Sequence, residues 1–148
     1  MLRASCWHRL QRRLDRAQLA FKLRDLSELL PELVPLLRPK LRELAQRRLA
    51  FHPPCTLQHG QQLKGGVEQH LGALGFDISV ARVEPHLCCG SAGTYSVLNP
   101  DIAYTLRDRK LGHLGELQAQ TIVSANIGCI THLQSGTDTP VRHWVEVL

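Results

Sequence analysis

The segment Ile78-Ser79-Val80-Ala81-Arg82-Val83, followed closely by Cys88-Cys89-Gly90, decides which fold this chain can form. The first part alternates in the manner of a half-buried β-strand. The second part places two adjacent thiols before a glycine. Neighbouring side chains in an extended segment point to opposite faces, so both thiols reach one site only where the backbone turns sharply. Gly90 permits such a turn.

Two further cysteines extend this pattern over long range. Cys55 is separated from the double cysteine by 32 residues, and 38 residues lie between Gly90 and Cys129, with His132 three places further on. Four cysteines and one histidine suit an iron–sulfur cluster or a zinc ion. The fifth cysteine, Cys6, lies outside the pattern and is interpreted as an incidental thiol.

Five cysteines without a secretory signal predict that the protein works in a reducing compartment. The N-terminal residues are too rich in arginine to contain the apolar core of a secretory signal. In a reducing compartment, patterned cysteines bind metal or act in catalysis more often than they form disulfides. We therefore expect free thiols that hold a metal centre.

Composition and charge exclude other classes of protein. The chain has 148 residues, of which 43% are apolar and 21% charged, as in a soluble globular domain with an appendage. Because no apolar run approaches 18 residues, we expect no transmembrane segment. Residues 1–50 hold 12 Lys and Arg against 5 Asp and Glu, whereas residues 51–148 hold 6 against 8. The cysteine-bearing part is mildly acidic, so no nucleic-acid partner is predicted.

The chain divides into three predicted segments. Residues 1–21 form a basic N-terminal segment, interpreted as a solvated or poorly ordered helix, with an organelle transit peptide as the alternative. Residues 22–48 form a leucine-rich helical segment that the prolines, beginning with Pro31, are expected to break into pieces. Its leucines predict a packing face, either within this chain or against another protein. Residues 49–148 form the cysteine-rich domain.

Strand and helix patterns alternate in residues 49–148. Strands are predicted at 49–52, 78–83, 121–125 and 141–147, with helices at 67–74, from Pro100 toward Gly112, and through Leu133. This alternation predicts an α/β fold: a small, mostly parallel sheet with crossover helices, preceded by the helical leucine-rich segment. Each cysteine group follows a strand, and sites in parallel sheets form beyond the carboxyl ends of the strands. The four thiols are therefore expected to converge.

Three sequence blocks carry a resemblance to a known family. They are AFHPPCT (50–56), CCGSAGTY (88–95) and SANIGCITH (124–132). Residues 49–148 resemble the CCG, or cysteine-rich, domain of heterodisulfide reductases and related iron–sulfur proteins. The longer blocks, together with VRHW (141–144), are similar to the C-terminal domain of the glycolate oxidase iron–sulfur subunit.

The resemblance implies an iron–sulfur module that transfers electrons. Its partners would be FAD-binding glycolate oxidase subunits that oxidise glycolate to glyoxylate, in the cytoplasm or at the inner face of the membrane through those partners. The metal ligands would be Cys55, Cys88, Cys89 and Cys129, most simply around a [4Fe–4S] cluster, with Gly90 and His132 as further cofactor-binding residues. No catalytic residue is expected on this chain.

Two departures from the family pattern limit what the resemblance implies about the cofactor and ligands of this chain. Many CCG domains end in C-x-x-C, whereas this chain has Cys129 and His132, which argues against a five-thiolate cluster. His132 is then either an additional or substituting ligand or a hydrogen-bond donor to a sulfur. The upstream ferredoxin-type motifs and first CCG domain of the family are absent from this chain, so it looks like the C-terminal third of such a subunit, as a fragment or a split module.

A second class of function stays open. Four thiolates also suit a tetrahedral zinc site, which would make the chain a zinc-stabilised structural or docking module without a redox role. His52 and His59 flank Cys55 and are interpreted as structural residues or as hydrogen-bond partners of the ligands.

Overall fold

A computed structural model of the chain describes residues 24–41, 47–63 and 65–148. Its centre is a four-stranded sheet in the order β2-β1-β3-β4, with every neighbouring pair parallel. Phe51 of β1 pairs with Val80 of β2 on one side and with Val123 of β3 on the other. The predicted α/β fold with a parallel sheet is thereby confirmed. The strands are β1 (Arg48–His52), β2 (Asp77–Val80), β3 (Thr121–Ser124) and β4 (Val141–His143).

Helices make the crossover connections that parallel strands need. The first helix precedes the sheet, one connects β1 to β2, two lie between β2 and β3, and one connects β3 to β4. They are α1 (Leu26–Leu37), α2 (Gly66–Leu74), α3 (Tyr95–Leu98), α4 (Pro100–Gly115) and α5 (Ile127–Gln134). A π-helical turn follows β1 at Thr56–Gly60, and a 3₁₀-helix follows β4 at Trp144–Val147.

The alternation of side chains along β1 divides the core into two layers. Leu49 and Phe51 pack on one face of the sheet, in the cluster that includes Leu30 of α1 and Leu71 of α2. Ala50 packs on the opposite face, in the cluster formed with α4 and α5. Side chains along a strand alternate between the two faces of the sheet, so residue 52 lies on the same face as Ala50.

The order of the strands creates one distinctive position. The chain leaves β1 toward β2 on one side, and β3 lies on the other side of β1. The carboxyl ends of β1 and β3, where His52 pairs with Ser124, therefore form the topological switch point at which such sheets bind ligands.

Helix α1 differs from the expectation that prolines break the leucine-rich segment. The helix runs without interruption through Pro31 and Pro35, so that prediction was wrong. Asp25 and Glu28 form a capping box that starts the helix, and each proline has a helical φ and removes one backbone hydrogen bond. Burial of Leu30 against the sheet, at 0% exposure, compensates for the lost bonds.

The leucine face of α1 packs within this chain. Val34 and Leu37 pack beside the buried Leu30 against the core of the domain, whereas Leu26 and Leu36 are exposed. Residues 1–21, with Cys6, and the leucines at positions 23 and 44 lie outside the described residues.

The last strand is shorter than its alternating pattern predicts. β4 ends at His143, and residues 144–147 form the 3₁₀-helix instead of continuing the strand. His143 Nδ1 accepts a hydrogen bond from the Val145 N–H, and Glu146 accepts one from the His143 N–H. This cap turns the chain so that Trp144 is buried. None of the helices in the described part of the chain has the length and apolar character to cross a bilayer.

Candidate metal centre

The four cysteines of the sequence pattern converge beyond the carboxyl edge of the sheet. Cys55 follows β1, the pair Cys88 and Cys89 lies in the loop after β2, and Cys129 lies in the first turn of α5 after β3. All four line one cavity of about 380 Å³, together with His52. The expectation that these thiols converge is met, because each strand releases its chain at the same edge.

The cavity has a buried end with three donor atoms. His52, Cys89 and Cys129 are all buried, and their ring nitrogen and sulfur atoms lie within 4.8 Å of one another. The outer end is formed by Cys88, which is half-buried, and Cys55, which is exposed. The Cys55 thiol lies near enough to Cys88 to contribute to raising the pKa of that thiol, after burial as the main cause.

The backbone at the double cysteine adopts the turn that the sequence requires. Gly90 has a φ of +89°, in the left-handed region that favours glycine. A Cβ at this position would lie 2.3 Å from the carbonyl oxygen of Ala103 in α4. The Gly90 N–H donates to Cys88 Sγ at 3.3 Å, and the backbone of Ser91 contributes to lowering the pKa of Cys89. The turn therefore brings both sulfurs to the cavity and points a backbone N–H group at the sulfur of Cys88.

The buried pair of thiols shares a proton unequally. A hydrogen bond from Cys129 lowers the pKa of Cys89 to about 4. The same bond, together with burial, raises the pKa of Cys129. Burial is also the main cause of the raised pKa of Cys88. The Cys89 thiolate is thus stabilised in the metal-free protein, and thiolate is the form of cysteine that binds metals.

Short-range hydrogen bonds hold the elements around the cavity. Asn126 caps α5, and its Oδ1 accepts from the N–H groups of Gly128 at 2.9 Å and Cys129 at 3.2 Å. Ser124 Oγ donates to the backbone carbonyl of His52 at 2.9 Å. At Gly128, a Cβ would lie 2.9 Å from Ser91 Oγ, so the start of α5 and the double-cysteine loop approach closely.

Helix α4 anchors the loop that leads to the double cysteine. Lys110 is 1% exposed, and its Nζ donates to the backbone carbonyls of Glu84 and Pro85, each at 3.1 Å. Glu84 has a φ of +47°, and it forms an ion pair with Arg109 and a hydrogen bond with His113, both in α4. Its hydrogen bond to His113 is the main cause that lowers the pKa of the Glu84 carboxyl. Sequence reasoning missed Lys110, because its charge is typical of a solvent-facing position of α4.

We expect Lys110→Met to lower the free energy of unfolding by about 2–3 kcal/mol, because a buried hydrogen bond to a charged group is worth about 1.5–3 kcal/mol. Urea denaturation of the metal-free protein measures this loss. Arg109→Gln is the matched control on the same helix, since its pair with Glu84 is at the surface, and it should change stability much less. Equal stabilities for Lys110→Met and the unsubstituted chain would show that the anchor contributes nothing.

His132 lies apart from the group of buried donors. Its Nε2 lies 3.1 Å from the carbonyl oxygen of Ala103, and its ring stacks on Tyr104 at 5.9 Å between centroids. It lines a neighbouring groove with Thr131 and Ser135. The role of His132 beside a metal stays a prediction, but its ring nitrogen is already engaged with the backbone.

The sequence favours a structural or hydrogen-bonding role for His52, yet it is the histidine that joins the buried cysteines. Its ring is 1% exposed. Within the described residues neither Nδ1 nor Nε2 has a hydrogen-bond partner of good geometry, although the imidazole lies near enough to Cys89 to lower the pKa of that thiol. The alternation along β1 was the available signal, because residue 52 shares a face with Ala50.

The donors at this cavity fit a thiolate-bound metal centre. Four sulfurs converge on one cavity, and a buried imidazole without a hydrogen-bond partner among the described residues faces two of them. Soft sulfur donors select iron–sulfur clusters and zinc over harder cations such as magnesium. Buried unpaired polar groups are rare in folded proteins, so the orphaned ring also indicates a partner that the protein itself does not supply.

Comparison with known proteins agrees with this donor set. The family of cysteine-rich (CCG) domains matches residues 49–134. The chain belongs to this family. It is 52% identical over 133 residues, or 87% of its length, to the glycolate oxidase iron-sulfur subunit of Escherichia coli K12.

More distant relatives share the same domain. Lactate utilization protein A of Oceanobacillus iheyensis is 29% identical over 107 residues, covering 68% of this chain and 43% of that protein. Lactate utilization protein A of Geobacillus kaustophilus is 31% identical over 110 residues, covering 68% of this chain and 44% of that protein. The chain spans 32% of the Escherichia coli subunit and less than half of the other two proteins.

Proposed function

We propose that this chain is an iron–sulfur module that transfers electrons within a longer oxidoreductase assembly. Cys55, Cys88, Cys89 and Cys129 are the proposed ligands, most simply of a [4Fe–4S] cluster. The observation that carries the proposal is the convergence of these four sulfurs on one cavity at the carboxyl edge of the sheet. The name of the Escherichia coli relative supports the choice of iron and sulfide over other metals.

The cysteines and backbone N–H groups at this site have different proposed roles. Cys89 and Cys129 bind at the buried end and exclude water, whereas Cys55 and Cys88 bind near the surface, where electrons enter and leave. A bound cluster supplies one-electron transfer. The N–H group of Gly90 donates to the sulfur of Cys88, and hydrogen bonds to the sulfurs of a cluster help to set its reduction potential.

The wider assembly is part of the same proposal. We infer that residues 49–148 are the electron-transfer domain and that residues 22–48 add the helical segment packed on it. The electron donor would be an FAD-binding subunit that oxidises glycolate to glyoxylate, acting in the cytoplasm or at the inner face of the membrane through its partners. The support is the similarity to a glycolate oxidase iron-sulfur subunit over 87% of this chain. Ferredoxin-type motifs and a first CCG domain would belong to the part of such a subunit that this chain does not include.

A zinc-bound structural module is the second candidate, and the spacing of the buried donors favours it. Ligands of one tetrahedral zinc ion lie about 3.4–3.8 Å apart, given Zn–S and Zn–N bonds of about 2.3 and 2.0–2.1 Å. The three buried donors lie within 4.8 Å of one another, close to that spacing without any iron–sulfur core. With zinc bound, the chain would stabilise a complex and carry no electrons.

Anaerobic purification of the full chain separates the two candidates. We expect about four iron and four sulfide per chain after reconstitution, with the broad visible absorption of an iron–sulfur centre, as a [4Fe–4S] cluster requires. Iron, sulfide and zinc analyses of the same sample measure this. One tightly bound zinc, with no iron or sulfide taken up under reconstitution, would contradict the electron-transfer proposal and support the structural one.

A further inference from the structure

The histidine at the end of β1 has no place in an ordinary hydrogen-bonded core. His52 is 1% exposed, and neither of its ring nitrogens has a hydrogen-bond partner of good geometry within the described residues, although the imidazole lies near enough to Cys89 to lower the pKa of that thiol. The nearby hydroxyl of Ser124 donates to the backbone carbonyl of His52 rather than to its ring. A structural histidine in a core is normally hydrogen-bonded, because an unpaired buried polar group is costly. The imidazole is therefore held in place by its backbone while its nitrogens are available to a ligand.

One ring nitrogen of His52 lies close to the sulfurs of the two buried thiols. The donor atoms of His52, Cys89 and Cys129 lie within 4.8 Å of one another, and all three residues are buried. They come from three elements: the end of β1, the loop after β2 and the first turn of α5. Imidazole nitrogen and thiolate sulfur are together the usual ligands of zinc and also occur on iron in iron–sulfur proteins.

We propose that His52 is a nitrogen ligand of the metal centre, together with Cys89 and Cys129. Because each iron of a [4Fe–4S] cluster takes one protein ligand, His52 would replace one of the two outer cysteines, Cys55 or Cys88, in such a cluster. This rests on the proposed function in one respect, that the cavity holds a thiolate-bound metal. Of the two roles that the sequence leaves open for His132, this favours the one without a metal bond, because the His132 ring is engaged with the carbonyl of Ala103 and stacks on Tyr104.

The ligand type has a measurable consequence for a cluster. A neutral imidazole brings one negative charge fewer than a thiolate, and histidine ligation raises the reduction potential of iron–sulfur centres. His52→Cys therefore keeps a metal ligand at the same position but should lower the reduction potential. His132→Gln, which removes the other candidate histidine, should leave the potential within error of the unsubstituted chain.

The decisive measurement is nitrogen coordination in the full chain, labelled with ¹⁵N-histidine and reconstituted anaerobically. Pulsed EPR of the reduced protein should show a strongly coupled ¹⁵N nucleus in the unsubstituted chain and in His132→Gln, and none in His52→Cys. Absence of nitrogen coupling in the unsubstituted chain, or its persistence in His52→Cys, would overturn the proposal.

A parallel experiment on the zinc-loaded chain tests the role of His52 independently of the iron–sulfur proposal. X-ray absorption of the zinc-loaded full chain should show nitrogen at about 2.0–2.1 Å as well as sulfur at about 2.3 Å. The nitrogen contribution should disappear in His52→Cys and stay in His132→Gln. If the chain takes up zinc with nitrogen but no iron or sulfide, the electron-transfer proposal fails and His52 remains a ligand. If zinc is bound by sulfur alone, or if neither metal is bound, the inference about His52 fails.

Discussion

Cys89→Ser is expected to remove nearly all of the metal centre. Cys89 is 1% exposed, it lies beside His52 and Cys129, and its thiolate is stabilised before any metal binds. Serine has a hydroxyl of much higher pKa and is a poor ligand beside thiolates. Replacing a group that only hydrogen-bonds to a ligand typically costs 10- to 100-fold in metal affinity, so loss of a buried ligand should exceed about 100-fold.

Cys88→Ser should also degrade the centre, but less completely. The sulfur of Cys88 is half-buried, lies near the exposed Cys55, and contributes at the solvent side of the cavity. Water can replace a ligand there more easily than at the buried end. Iron, sulfide and visible absorption per chain measure both variants.

The control for this pair is Cys6→Ser, which removes a thiol outside the sequence pattern and should leave metal content unchanged. Thermal unfolding of each metal-free variant shows whether the fold is kept. Full iron and sulfide content in both Cys88→Ser and Cys89→Ser would mean that the double cysteine is not the ligand pair, and the iron–sulfur proposal would then fail.

Much of the fold was predictable because its signals are local. Short apolar runs at residues 49–52 and 121–125, and a proline at the first position of α4, indicate strands and a helix start through local composition and backbone geometry. The convergence of the cysteines then followed from topology, since parallel strands end at a common edge. None of these inferences needed a particular side-chain contact.

The errors came from effects that depend on tertiary packing. Pro31 is a strong helix breaker in isolation, but a capping box and the burial of Leu30 keep α1 continuous through it. Residues 144–147 alternate like a strand, yet the buried Trp144 and the cap at His143 turn them into a 3₁₀-helix. In both places a contact distant in sequence, or a side-chain cap, outweighs the local pattern.

The prediction of the metal ligands was limited by tertiary packing in the same way. The C-x-x-H pattern made His132 a candidate, either as a ligand or as a hydrogen-bond donor to a sulfur, whereas His52 was interpreted as structural or hydrogen-bonding. The structure instead turns that ring toward α4 and Tyr104, and it brings His52 to the buried thiols. Which face of a short helix meets the cavity depends on how the helix packs, and spacing alone does not determine it.

Gly90→Ala is expected to cause the largest loss of stability among single substitutions around the cavity, about 3 kcal/mol or more. An alanine Cβ would lie 2.3 Å from the Ala103 carbonyl oxygen, so the double-cysteine loop and α4 would have to separate. The φ of +89° adds strain that only glycine avoids, of the order of 1–2 kcal/mol. For a chain of this size such a loss lowers Tm by about 6–12 °C.

Two glycine substitutions separate the causes of that loss. Gly93 has a φ of +58°, but there is open space around an added Cβ. Gly93→Ala should therefore lower the free energy of unfolding through backbone strain alone, by about 1 kcal/mol. Gly112→Ala lies inside α4 with nothing within 4 Å, and it should stabilise the chain by about 0.5–1 kcal/mol. Thermal unfolding of the three metal-free variants gives the order. If Gly90→Ala unfolds at the same temperature as Gly93→Ala, the close contact between the loop and α4 does not hold the double cysteine in place. If it unfolds well below, metal content should fall with it, because the same contact positions Cys88 and Cys89 at the cavity.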